Sequence, residues 1–241
     1  MTNTKTFLNS FDKVFVINLP ERIDRRKAIQ AELDWLGPTD RDRVEIFPAV
    51  KPSDPGGFPS LGARGCFMSH LEILRTARDR GLKRILIVED DLMFSKYLKK
   101  CQNEVARHVE DGVYDILYLG HMVEVESAGT LRFEKYEKPL MQSHFIAFKG
   151  DVVVQLVHCF EAMLARAPGH PDGGPMHVDG AYSTFRMQNP QSTTQIAVPN
   201  LGFQRPSPSD IAGFRWFDKI SGIKELSALV RRFRILWMRN A

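Results

Sequence analysis

Three carboxylates in a row end the apolar, β-branched run Arg84-Ile-Leu-Ile-Val-Glu-Asp-Asp-Leu-Met-Phe94. Successive side chains of extended backbone face opposite ways, so Glu89 and Asp91 are expected on one face and Asp90 on the other. Two such charges about 4 Å apart repel by roughly 4 kcal/mol at an effective dielectric near 20, so the arrangement calls for a cation. Two chemistries suit it: the acidic pocket of a phosphorylation receiver, or an acid-x-acid metal site that holds a nucleotide diphosphate. A receiver starts with its acid pair on the first strand and needs an acceptor aspartate at the tip of a later one. Here the strand that follows, YDILYLG, ends in Leu119-Gly120, and some eighty residues precede the acids unexplained. The diphosphate chemistry is the better fit.

The elements that must position these acids alternate. Val14-Phe-Val-Ile17 reads as a buried strand that empties into Asn18-Leu-Pro20. Asp24 is the expected N-cap of a helix with Ala28, Ile29, Leu33 and Leu36 at helical spacing, stopped by Gly37. Val44–Phe47 is a second strand, and the Pro/Gly/Ser segment from Pro48 to Gly62 a surface loop able to order over a ligand. A helix from Ala63 to about Arg80 buries Phe67, His70, Leu71, Leu74 and Ala77. After the acids come a helix from Ser95 to about His108 and the strand Tyr114–Leu119. Strand-helix alternation predicts an α/β fold with a mostly parallel, Rossmann-type sheet and ligands at the carboxyl ends of its strands. The half from 121 to 215 reads as more irregular α+β: a hairpin over Met122–Tyr136, a strand Phe145–Phe148, a helix Val152–Leu164, and Gly/Pro-rich loops at Ala167–Gly180 and Pro199–Ser209.

Composition narrows the class. The chain has 241 residues, is 43% hydrophobic and 26% charged, and carries a net charge of +4. That is ordinary for a soluble globular domain, and too slight a charge, without a basic aromatic stripe, for a nucleic-acid partner. No run is long enough to span a membrane, and the start lacks a secretory pattern, so a cytoplasmic location is expected. The cysteines Cys66, Cys101 and Cys159 form no C-x-x-C pair and read as buried thiols.

Four segments carry a family resemblance: FVINLPERIDRR (15–26), GARGCFMSHLEIL (62–74), ILIVEDD (85–91) and YDILYLG (114–120). In this order they resemble glycosyltransferase family 25, which includes bacterial lipopolysaccharide galactosyltransferases and, more distantly, collagen galactosyltransferases. The resemblance covers roughly residues 1–120, taken as a nucleotide-sugar-binding half. The half from 121 to 215, taken as the acceptor side, matches loosely, at Ser143–Gly150 and His177-Val-Asp179. The resemblance implies a GT-A-like fold, a divalent cation (Mn2+ or Mg2+), and inverting transfer of a sugar, most often galactose, from a UDP-sugar donor to a glycan or lipid-linked glycan acceptor.

In such a site Glu89 and Asp91 would divide the ribose and the cation between them, with Asp90 beside them; the plain alternative is a solvated loop that caps the next helix. Asn18 stands at the mouth of the first strand, and Arg22, Arg25 and Arg26 follow it with forks suited to a diphosphate, or simply as an exposed basic helix start. Ser69 and His70 belong to the second motif and are candidates for donor binding, since Gly62 and Gly65 at this helix start allow the close backbone approach of a donor pocket; His70, four residues after Cys66, reads first as a hydrogen-bonded core histidine, the pair alone being weak evidence for zinc. Inverting transfer needs a base for the acceptor hydroxyl, and Asp179 is the first candidate, Asp115 the second. His177 is a candidate to complete the metal shell, and Gln204 a candidate on the acceptor side. A protein of this fold that binds nucleotide sugars without turnover is the alternative function.

From Lys224 onward there are five basic residues and one acidic. On a helix Leu226, Leu229, Val230, Phe233, Leu236 and Trp237 make one apolar stripe, which predicts peripheral contact with an anionic membrane or packing on the core or a second subunit.

Overall fold

The computed structural model describes residues 6–126 and 129–205, so the C-terminal basic stripe lies outside the described residues. In chain order the elements are β1 (Lys13–Asn18), α1 (Ile23–Leu36), β2 (Val44–Pro48), α2 (Leu61–Asp79), β3 (Arg84–Glu89), β4 (Leu92–Phe94), α3 (Lys96–Lys100), α4 (Gln102–Asp111) and β5 (Ile116–Tyr118). Then follow β6 (Arg132–Lys135), β7 (Phe145–Lys149), α5 (Val152–Leu164), α6 (Val178–Gln188), β8 (Thr194–Val198) and β9 (Gly202–Gln204).

Seven strands form one sheet in the order β2-β1-β3-β7-β5-β8-β6, to which both halves of the chain contribute. Five of them run the same way, while β7 and β6 run against the rest. The sheet is therefore mostly parallel in direction, as expected. Alternation along each strand divides the core. Phe15 and Ile17 of β1, Ile85 and Ile87 of β3, and Ile146 and Phe148 of β7 meet α2, α5 and α6 on one face. Val14, Val16, Leu86, Val88, Phe145 and Ala147 meet α1 and α4 on the other. Runs buried on both sides need apolar residues at every position, which is why β1 and β3 read as continuous hydrophobic stretches.

Four expectations change. Helix α1 begins one residue before Asp24, with Arg22 as its N-cap; Asp24 lies in the first turn and takes both forks of the Arg22 guanidinium, at 3.0 and 2.9 Å. The helix expected from Ser95 is two, because the chain bends at Cys101 between α3 and α4. No hairpin forms over the described part of 122–136: β6 pairs with β8, some sixty residues on, not with a neighbour. The segment from Pro199 is not all loop, since β9 pairs antiparallel with β4 just beyond the acids.

Candidate active site

Strand β3 stops at Glu89, and Asp90 and Asp91 form the turn into β4. The strict alternation expected of an extended triplet therefore fails after its first member. Asp90 accepts from Asn18 Nδ2 at 2.7 Å and from Arg25 Nη1 at 3.1 Å; the same guanidinium nitrogen lies 3.8 Å from Asp91 Oδ2. One cation from α1 thus serves two adjacent acids, and Asp90 in turn fixes Asn18 at the end of β1. Glu89 accepts from Gln204 Nε2 at 3.1 Å, and Gln204 Oε1 accepts from Gln142 Nε2 at 3.1 Å. Arg205 closes the turn from outside, its backbone N–H donating to Asp91 O at 2.7 Å and its Nη2 to Asp90 O at 2.6 Å.

Negative charge exceeds what these donors neutralise. Burial, then the charges of Asp91 and Asp90, push the Glu89 carboxyl up to about 8 against the pull of Gln204. Burial and Asp90 push Asp91 to about 6 although Arg25 and Arg205 draw it down. Asp91 Oδ1 is buried and has no hydrogen-bond partner. Hard oxygen donors, excess negative charge and an unmatched acceptor fit a divalent cation.

The acids close one end of a cavity of about 320 Å3 whose floor is apolar, made by Ile17, Leu19, Ala49, Val50 and Pro52. This size is at the lower end of small-ligand sites. The cavity opens at the carboxyl ends of β1, β2 and β3, where an α/β sheet binds ligands. Its opposite wall is the start of α2, capped by Ser60, whose hydroxyl accepts from Ala63 N at 3.0 Å. Ser69 holds the loop that follows β2 in place: its hydroxyl accepts from Val50 N at 2.8 Å and donates to Gly65 O at 2.7 Å. The loop comes so near the helix that a Cβ at Gly65 would stand 2.7 Å from Val50 O. Lys51 lines the cavity and pairs with Glu21.

The structure thus gathers Asn18, Arg25, Ser69, Glu89, Asp90, Asp91 and Gln204 in one place. Arg22 turns its side chain to Asp24 while its carbonyl accepts from Asn18 at 3.2 Å, and Arg26 is exposed on α1. His70 is fully buried behind the cavity wall; its Nδ1 lies 3.0 Å from Tyr182 Oη of α6, and burial lowers its pKa to about 3, so the ring is neutral. Asp179 is half-buried in the first turn of α6 and bonds Gly180 N at 2.8 Å. Its charge, with those of Glu89 and Asp91, helps raise the Cys66 thiol well above its usual value, burial being the larger cause. His177 is the exposed N-cap residue of α6 and has no side-chain cap bond. Asp115 stands at the amino end of β5, the far end of the sheet from the acids, where its carboxylate accepts from Thr193 N at 2.7 Å. The sequence reading missed Arg205, Gln142 and Lys51. Arg205 adjoins Gln204, but nothing in its spacing signals that β9 returns to the acids.

Residues 56–158 match the family described as Glycosyltransferase family 25 (LPS biosynthesis protein). Procollagen galactosyltransferase 1 of Danio rerio is 28% identical over 159 residues, 56% of this chain and 24% of that protein. Inactive glycosyltransferase 25 family member 3 of Homo sapiens is 31% identical over 129 residues, 46% of this chain and 22% of that protein. The chain thus spans about a quarter of the length of these curated relatives. A solved glycosyltransferase involved in glycosylation of the major capsid of PBCV-1 aligns over 81% of this chain and 94% of its own, at 7% identity and a TM-score of 0.42, too loose a likeness to build on. The match begins in the loop over the cavity and runs through α2, the three acids and β5 to β7, and over this stretch the chain is similar to glycosyltransferase family 25.

Proposed function

We propose that the chain is a UDP-sugar-dependent transferase that moves a hexose, galactose being the first candidate, onto a hydroxyl of a glycan in cell-surface polysaccharide or lipopolysaccharide synthesis. The observation that carries this reading is the acid triplet with Arg25 beside it, set at the end of an apolar-floored cavity. A flat base suits the floor, while a diphosphate needs the charged end. Asp91 and Glu89 would hold a divalent cation, which as a Lewis acid stabilises the departing diphosphate. Arg25 presents a fork to phosphate oxygens, and Asp90 keeps that fork and Asn18 oriented. Asp179 serves as the base that takes the acceptor proton; the support is its place in the α6 turn, near enough to Cys66 for its charge to be felt there. Gln204 and Gln142 border the acids from the later half and belong to the acceptor side of this reading. The proposed setting is the cytoplasmic face of a membrane, a part that leans on the basic stripe after Lys224.

Calorimetric titration with UDP, with and without Mn2+, tests the donor half: binding that needs the metal and disappears in Asp91→Asn supports it, and metal-independent binding unchanged in that variant overturns it. One similar protein is named inactive, which favours a second reading, a binder without turnover. Release of UDP from UDP-galactose separates the two, since a binder retains the donor intact.

A further inference from the structure

The alternation that sorts β3 into two cores also aims its last residue. Ile85 and Ile87 pack against α2, and Glu89 continues that face. On α2, Cys66 and His70 lie one turn apart and point back at it. The Cys66 sulfur, a ring nitrogen of His70 and a carboxylate oxygen of Glu89 all lie within 4.8 Å of one another. Tyr182 occupies Nδ1 of His70, so Nε2 is the nitrogen turned to this cluster, and Nε2 is fully buried with no hydrogen-bond partner. A buried ring nitrogen without a partner is costly unless something fills the place.

We infer that Cys66, His70 and Glu89 form a second cation site, for a thiophilic divalent ion of the zinc type, in the wall between the cavity and the core. Its donor set separates it from the proposed hard-cation site: one sulfur, one imidazole nitrogen and a single carboxylate select a borderline-soft metal, whereas Asp91 and its neighbours offer oxygen alone. In a tetrahedral zinc site the ligand atoms stand about 3.5 Å apart, so an ion draws these three inward by roughly 1 Å. Glu89 can make that move by giving up its bond to Gln204. Cys66 binds as thiolate and Glu89 as carboxylate, and the protons they hold in the metal-free protein leave to water. Three protein ligands leave a fourth position open, and because Cys66 and Glu89 both line the cavity, that position faces it. Tyr182 Oη fixes the ring from behind, as an outer partner does for a ligating histidine. Since both sites draw on Glu89, a thiophilic ion competes with whatever Glu89 otherwise holds.

The test is optical and uses the purified full chain, stripped with chelator and titrated with Co2+. The expected result is a thiolate-to-cobalt charge-transfer band that saturates at one equivalent, is abolished by one equivalent of Zn2+, persists in the Cys101→Ser/Cys159→Ser double variant and is absent in Cys66→Ser. Tyr182→Phe should keep the band while weakening Co2+ binding by about 10- to 100-fold. No charge-transfer band in the unaltered chain overturns the inference, whatever the variants do, and so does a band that survives in Cys66→Ser. Neither outcome touches the donor reading, because UDP with Mn2+ engages oxygen donors and gives no sulfur band.

Discussion

The two ends of the acid cluster are built differently. On one side Asn18, Arg25 and Asp90 come from the β1 exit, the first turns of α1 and the β3 exit, three places set next to each other by a parallel βαβ arrangement. On the other side Gln204 ends a three-residue strand from the far end of the described chain, Arg205 follows it, and Gln142 comes from a loop between β6 and β7. The first side is fixed by the seven-stranded sheet and brings a side-chain cation to within 3.1 Å of Asp90. The second is a polar clamp added from outside. Recognition of a common donor suits the first kind of construction, and adaptation to a particular acceptor suits the second.

The sharpest way to break this contrast is to remove a charge from the first side. Asp91→Asn should lower turnover by about 10³-fold or more, with the Mn2+ dependence of UDP binding lost and the melting curve still cooperative. Near-normal turnover would mean that the acids are only a turn. Next in size is Asp179→Asn, which should reduce kcat by about 10²-fold with UDP affinity nearly unchanged. A loss of UDP or metal binding instead would move Asp179 across to the donor side. Gly65→Ala probes the loop over the cavity: the new Cβ meets Val50 O at 2.7 Å, a backbone atom that must shift. A destabilisation of about 1–3 kcal/mol and weaker UDP binding are expected from chemical denaturation and titration. Unchanged values for both would show that the loop gives way freely.

A pH slope tests the charge on the acids without changing a residue. In the metal-free protein Glu89 holds its proton up to about 8, while its ordinary value is 4.5. The folded state then keeps a proton that the unfolded chain has released, so stability falls as pH rises from about 4.5 to 8. Melting temperatures taken across that window should decline, and the decline should shrink in Glu89→Gln and on adding a divalent cation. A flat profile in the metal-free chain would mean that Gln204 and Arg25 already neutralise the cluster.

The same contrast explains what was legible in the sequence. β1, β3 and α2 announce themselves because strands buried on both faces are uniformly apolar and α2 repeats its apolar positions at helical spacing. Gly65 and Ser69 sit inside a recognisable motif, and the structure gives their physical reason: the helix must admit a loop backbone at contact distance. The later strands are short and mixed. In β6 a strand pattern is visible, but its partner β8 is not, because alternation specifies a face and never a neighbour. β9 is too short to give any periodic signal, so the reach of Gln204 to Glu89 was open only to guesswork from residue type. The orientation of Asp90 escaped for a simpler reason, since the strand ends one residue too soon for the alternation rule to apply.

The bond between Gln204 and Glu89 spans 115 residues of chain. At a synthesis rate of about 5–20 residues per second, Glu89 leaves the ribosome roughly 6 to 23 seconds before its partner. For that interval β4 has an open edge where β9 will lie, and water, not Gln204 or Arg205, hydrates the acids. Their mutual repulsion is felt in full only when β9 docks and expels that water. The charged centre of the site therefore cannot close before the chain reaches Arg205, and a cation present at that moment would ease the closing step as well as serve the finished protein.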